Sequence, residues 1–103
     1  MAESQVYTLL VQVGRAAEDG LPEGATGAAL LCYAAGRTEK NAVDETVAVL
    51  RQANLAPLEV EALGTTAERE AAGEVIGDED RALMLRALSE NAVIVAQVQV
   101  FED

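Results

Sequence analysis

The feature that most constrains this chain is an uncharged run of eight residues, from Ala28 to Ala35, bounded by Gly27 and Gly36. The run is too short to span a membrane. Its length and flanking glycines favour a buried strand over a buried helix, although its four alanines are poor strand formers. We therefore predict a buried strand here, against which the rest of the chain packs.

A capped helix is predicted directly after this strand. Thr38 occupies the N-cap position, where its hydroxyl can accept from the first unpaired amides of a helix. Val43, Val47 and Leu50 follow at spacings of four and three, which places them on one helical face. Asn54 is the predicted C-terminal cap.

Three further strands are predicted from alternating apolar and polar residues, at 6–13, 58–65 and 92–101. The strand at 58–65 follows a strand and a helix. A right-handed crossover would therefore make it parallel to the strand at 28–35.

Two short helices are predicted between the last two strands. One begins at a capping box formed by Thr65 and Glu68 and ends at Gly77. The other begins at Asp78 and ends at Asn91. The acidic residues between 68 and 80 do not fit an EF-hand loop. We interpret them as a solvated helix surface, with a weak divalent-cation site as the alternative.

The element order β-β-α-β-α-β predicts a single α+β domain over residues 1–103. We expect a two-layer sandwich, with a four-stranded mixed sheet and helices on one face. This arrangement is related to the ferredoxin-like one but differs from it, because a glycine-rich loop at 15–26 stands where a βαββαβ order needs a helix. We interpret this loop as a mobile hairpin connection, with a ligand-covering loop as the alternative.

The charge balance disfavours two classes of partner. Seven basic residues against eighteen acidic ones give a net charge of -11. Binding to nucleic acid or to an anionic membrane depends on Lys and Arg, so neither partner is expected. The chain begins without a basic, apolar leader, which favours a cytoplasmic location.

The residues of common active sites are scarce. The chain has no histidine, and its single cysteine, Cys32, lies in the predicted buried strand, so we expect no metal, no cofactor and no reactive thiolate. Neither Ser4 nor Ser89 lies in a G-x-S-x-G turn. Glu59 and Glu61 point the same way on a strand, and could perform acid–base chemistry only if buried in a cleft. The sequence therefore disfavours an enzyme without excluding one.

The strongest functional lead is a sheet face that the helices would leave uncovered. Its mixture of apolar and polar residues is typical of an interface, so we predict a homodimer that forms through this face or through an edge strand. The predicted face contains Thr8, Leu10, Gln12, Glu59, Glu61, Val93, Val95, Gln97 and Gln99, together with either Tyr33 or its neighbours.

A small-ligand binding module is the alternative hypothesis. It would place the 15–26 loop beside Tyr33, with Arg15, Gln97 and Gln99 as further contacts. Neither hypothesis identifies a biochemical function, because no motif in the chain specifies one.

Overall fold

The computed structural model describes residues 3–102, which form one four-stranded sheet and three helices. This confirms the α+β class, and each predicted strand is present within three residues of its expected bounds. The two helices predicted before the last strand are both present, and the first of them ends earlier than predicted, at Ala71. The strands are β1 (Gln5–Gly14), β2 (Ala25–Gly36), β3 (Ala56–Thr65) and β4 (Val93–Glu102), and the helices are α1 (Glu39–Gln52), α2 (Thr66–Ala71) and α3 (Asp78–Glu90).

The sheet has the strand order β3-β1-β2-β4, and every neighbouring pair is antiparallel. The prediction of a mixed sheet is therefore wrong. β2 and β3 do run in the same direction, as the crossover predicted, but β1 lies between them and pairs with both. The relation to the ferredoxin-like arrangement stays a prediction.

Helix α1 begins as the sequence predicts. The hydroxyl of Thr38 accepts a hydrogen bond from the backbone N–H of Asn41 at 3.1 Å. The stripe that faces the sheet is rotated from the predicted one, because Ala42, Thr46 and Leu50 are the buried residues of this helix. The Thr46 hydroxyl, although buried, is satisfied because it donates to the Ala42 carbonyl at 2.7 Å.

One core lies between α1 and the sheet. Leu9 and Val11 of β1 and Leu30 and Cys32 of β2 are buried there against Leu50 of α1. Successive side chains of a strand point to opposite faces, so these residues define one face of the central strand pair.

A second core lies on the opposite face. Val6 and Tyr33 are buried there against Met84 and Ala87 of α3. The prediction that all helices lie on one face is therefore wrong. Strands β1 and β2 are largely apolar on both faces; α1 covers one face, and α2 and α3 cover one end of the other.

Strand β4 contains a bulge that changes which residues share a face. Its pairing with β2 shifts register at Ala96. As a result, Val93 and Val95 lie on the α1 side of the sheet, whereas Gln97 and Gln99 lie on the α3 side. The prediction that all four lie on one face is wrong, because the extra residue reverses the alternation of side chains along β4.

The packing of α1 can be tested with two leucines. Leu50 is 1% exposed and Leu58 is 74% exposed. We expect Leu50→Ala to lower the free energy of unfolding by about 2–5 kcal/mol, because it leaves a cavity in the core beneath α1. Leu58→Ala should change it by less than about 0.5 kcal/mol. Urea titration of both variants measures the difference, and equal losses would contradict the described position of α1.

Candidate functional site

The sequence predicts that one face of the sheet is uncovered. In the structure, α2 and α3 cover one end of this face and leave the other end open. Thr8 and Tyr33 lie at the covered end and are buried beneath α2 and α3. Their inclusion in an exposed surface is therefore wrong. Leu10 and Gln12 continue β1 beyond these helices, where Leu10 is half-buried and Gln12 is exposed.

A cluster of hydrogen-bonded side chains holds α2 and α3 over the covered end. The Tyr33 hydroxyl donates to Asp80 Oδ1 at 2.7 Å. Arg69 Nη1 donates to Thr8 Oγ1 at 2.9 Å, and Arg69 Nη2 lies 3.2 Å from Glu74 Oε1. Within residues 3–102, every buried polar side-chain atom has a hydrogen-bond partner. The cluster is therefore satisfied internally and fastens both helices to the central strands.

The electrostatics of this cluster fix the protonation state of Tyr33. Burial, together with the hydrogen bond to the Asp80 carboxylate, raises the pKa of Tyr33 to about 12. The Glu74 carboxylate beside Arg69 raises the pKa of that guanidinium. At neutral pH the phenol is therefore a hydrogen-bond donor, and it cannot act as a general base.

The other candidates for chemistry are placed apart from this cluster. Glu59 and Glu61 are exposed on β3, so they lack the burial that the acid–base hypothesis required. Cys32 is buried in the core beneath α1, and burial raises the pKa of its thiol to about 11. That thiol stays protonated at neutral pH, as expected for a structural cysteine.

The acidic residues between 68 and 80 are used in part as structural partners. Glu68 accepts from the backbone N–H of Thr65 at 2.9 Å and completes the predicted capping box of α2. Glu70 Oε2 pairs with Arg81 Nη2 at 2.9 Å. Among the described residues, no group of three or more His, Cys, Asp or Glu side chains could hold a metal ion. The alternative of a divalent-cation site therefore has no geometric support.

The loop between β1 and β2 is fastened by one carboxylate. Asp19 accepts from Arg15 Nε and from the backbone N–H of Ala16, both at 2.9 Å, and from the backbone N–H of Leu21 at 3.0 Å. Arg15 also donates to the Ala25 carbonyl at 2.6 Å. The Arg15 side chain, followed by the two backbone amides, holds the pKa of Asp19 well below its usual range. These contacts do not favour the interpretation of a mobile loop.

The same geometry separates the loop from Tyr33. Arg15 follows Gly14 at one end of β1, whereas Tyr33 is opposite Thr8 towards the other end. Six residues of extended strand separate Thr8 from Gly14, a distance of ~20 Å. The loop therefore does not cover Tyr33, and the predicted ligand contacts do not converge on one site.

On the α3 side of the sheet, the end that α2 and α3 leave open is polar at its margins. Leu10 is half-buried near its centre, with exposed acidic and amide side chains around it. A shallow cavity of about 240 Å³ lies over β1 and β3 here. We define the open sheet end by its residues: Leu10, Gln12, Ala29, Leu31, Glu59, Glu61, Gln97 and Gln99.

The two edges of the sheet differ in character. β3, at one edge, carries Pro57 and the exposed carboxylates of Glu59 and Glu61. β4, at the other edge, has neither charge nor proline from 93 to 101, and Val95 and Val98 are 41% and 55% exposed on its α1 side. The sequence predicts contact through a face or an edge strand and does not specify which edge. The lack of charge from 93 to 101 distinguishes β4 from β3 and is visible in the sequence itself.

Comparisons with known proteins add a family and no further relative. The family model described as "Domain of unknown function (DUF8846)" matches residues 6–102. No curated protein and no solved structure matches the chain. Within residues 3–102, no helix has the length and apolar character needed to cross a membrane.

The role of the Tyr33 hydroxyl can be tested by Tyr33→Phe. We expect a loss of about 1–2 kcal/mol in the free energy of unfolding, because the bond to Asp80 disappears. The folded pKa of about 12 exceeds the ordinary value of 10.0, so this contribution is complete below pH 10 and is lost as pH rises towards 12. Urea titrations across this range should show stability falling more steeply in the wild type than in the variant. Tyr7→Phe, in the core beneath α1, is the matched control, and parallel pH profiles for wild type and Tyr33→Phe would contradict the assignment.

The fastening of the loop can be tested by Asp19→Ala. We expect the backbone amides of Ala16 and Leu21 to exchange with solvent at least about tenfold faster, because both lose their acceptor. The depressed pKa of Asp19 means that its contribution is present above about pH 3.9 and is lost only as pH falls through the lower folded value. Hydrogen exchange followed by NMR measures this, with Glu23→Ala in the same loop as control. Equal exchange in both variants would refute the role of Asp19.

Proposed function

We propose that this chain, which belongs to the family of domains of unknown function DUF8846, is a non-catalytic α+β domain that forms a homodimer through the edge of β4. The observation that carries the proposal is the character of this edge. β4 offers unpaired backbone groups along a strand that carries no charge from 93 to 101, with the exposed side chains of Val95 and Val98 beside them. Such an edge is a template for pairing with another strand.

The opposite edge supports this reading by contrast. Proline removes a backbone donor, and charged side chains discourage the approach of a second strand. Pro57, Glu59 and Glu61 give β3 both forms of protection. β4 has neither between 93 and 101. A sheet that protects one edge and leaves the other apolar is expected to have that second edge covered in its working state.

A second copy of the chain is the partner that fits best. Two copies that each carry a net charge of -11 repel one another over most of their surfaces. The uncharged edge lets them approach without placing like charges opposite each other. An antiparallel strand pair about a two-fold axis is self-complementary, so β4 can serve as its own partner. Two four-stranded sheets would then join into one sheet of eight strands.

Contact through the open sheet end is less favourable than contact through the edge. A face-to-face dimer there would bring Glu59 and Glu61 of both copies towards one interface. Burying such carboxylates without a cationic partner has a high desolvation cost. The edge contact buries valines and satisfies backbone hydrogen bonds instead.

The cytoplasm is the location that we propose for this dimer. The single cysteine, Cys32, forms no disulfide within the chain and is buried as a free thiol. A free thiol suits a reducing compartment, where disulfides are rare.

Light scattering or sedimentation across a concentration series tests the edge contact. We expect a dimer for the wild type and a monomer for Val98→Lys, because the lysine places a hydrated charge on the pairing edge. The substitution changes the net charge from -11 to -10, which reduces the general repulsion between copies. A loss of dimer therefore cannot come from increased net charge. Raising the salt concentration should strengthen the wild-type dimer by screening the remaining repulsion.

Two control substitutions distinguish a dimer contact at the β4 edge from one at the other edge or at the open sheet end. Leu58→Lys makes the same kind of change on the other edge strand and should leave the dimer intact. Gln12→Lys adds the same charge at the open sheet end, on a central strand. A dimer that is lost in Gln12→Lys but kept in Val98→Lys would assign the contact to the face. A wild type that stays monomeric at high concentration would refute self-association altogether.

A further inference from the structure

Helix α3 has an apolar flank that the sheet does not cover. Met84 and Ala87 face the second core and are buried, whereas Leu85 and Leu88 lie beside them and are 61% and 40% exposed. With Val6, these two leucines line a groove of about 260 Å³ between the start of β1, α2 and α3. This volume is close to the lower end of small-molecule sites, ~300 Å³, so the groove suits a small ligand.

Arg81 is the charged side chain among the residues that line this groove. Its Nη2 lies 2.9 Å from Glu70 Oε2, and the two side chains are 44% and 46% exposed. Ion pairs that are this exposed contribute little to stability. The guanidinium can therefore exchange Glu70 for another acceptor, or bind a second acceptor with its remaining N–H groups.

The hydroxyl of Thr66 is a second polar group in the groove. It donates to the thioether sulfur of Met84 at 3.4 Å. A thioether is a weak acceptor, so this donor would gain by turning to a carboxylate oxygen. The groove thus combines apolar walls with two donors, one of them cationic, which is the composition of a site for an amphipathic anion.

We propose that this groove binds a short aliphatic carboxylate. The hydrocarbon tail covers Val6, Leu85 and Leu88, and the carboxylate accepts hydrogen bonds from Arg81 and Thr66. An amine of the same length would place a cation beside the guanidinium, and an alcohol would lack the charge-assisted bond. None of the described residues that line the groove belongs to β4, so the site is independent of the proposed dimer.

The first experiment is an NMR titration of the full chain with octanoate, hexanoate, octylamine and octanol, each below its micelle-forming concentration. It is run at about 0.15 M salt, where long-range repulsion by the acidic surface is largely screened. We expect saturable shifts of the amides of Val6, Thr66 and Leu85 with octanoate. Hexanoate should bind more weakly because its tail covers less apolar surface. Octylamine or octanol binding as tightly as octanoate would overturn the proposal, and so would an octanoate titration that does not saturate.

Substitutions on α3 separate the anion site from general charge effects. Arg81→Gln should weaken octanoate binding about tenfold or more, as expected for the loss of a charge-assisted contact. Arg86→Gln removes the same charge from the same helix and breaks a comparable ion pair, with Glu90 at 2.9 Å, outside the groove. It should bind octanoate like the wild type, and equal weakening in both variants would refute the site.

Two further variants test where the hydrocarbon tail of octanoate lies and whether octanoate binding is independent of dimerisation. Leu85→Ser changes an exposed side chain, so the fold should be retained while binding weakens. Unchanged octanoate affinity in Leu85→Ser would contradict the placement of the tail. Val98→Lys should bind octanoate with unchanged affinity whether or not it dimerises. Binding that is lost only in Val98→Lys would place the ligand at the β4 edge instead of the groove.

Discussion

The rest of the structure depends on the pairing of β1 with β2, two central strands that each have buried side chains on both faces. Leu9 opposite Cys32 lies beneath α1, and Thr8 opposite Tyr33 lies beneath the other helices. Because neighbouring residues of a strand point to opposite faces, a pair buried in this way requires two covering layers. Helix α1 supplies one layer, α2 and α3 supply the other, and β3 and β4 are added at the sides of the central pair.

The two covering layers are held by different physical means, which limits what the sequence could reveal. α1 packs through buried residues, whereas α2 has only six residues and none of them is buried. Apolar burial therefore contributes little to the position of α2, and polar bonds fix it. Arg69 reaches Thr8 across 61 residues of sequence, and Tyr33 reaches Asp80 across 47. Partners so far apart cannot be paired before the topology is known, so the acidic stretch was interpreted as a solvated surface.

Local sequence signals predicted the strands and helices. Which face of the sheet each helix covers could be inferred only from the pattern of the sheet as a whole. Periodicity and caps act within a few residues, and the caps at Thr38 and Thr65 are both confirmed. The position of the helices was wrong although a signal existed: a run from 28 to 35 without charge on either face is typical of a strand covered on both sides. The bulge at Ala96 could not be recognised in the sequence, because the alternation of residues on each side of it is compatible with a regular strand.

The distribution of charge over the sheet also limits how far self-association can proceed. In a pairing of β4 with β4, the two β3 strands form the outer edges of the joined sheet. Each β3 lies three strand spacings from its own β4, or about 14 Å. This exceeds a Debye length of about 8 Å at physiological salt, so the carboxylates of Glu59 and Glu61 add little repulsion at the central contact. The same carboxylates, with Pro57, protect both outer edges from a further strand. In the proposed pairing, the joined sheet would therefore close at two copies and would not extend into a fibre, because only the β4 edge lacks charge and proline, from 93 to 101.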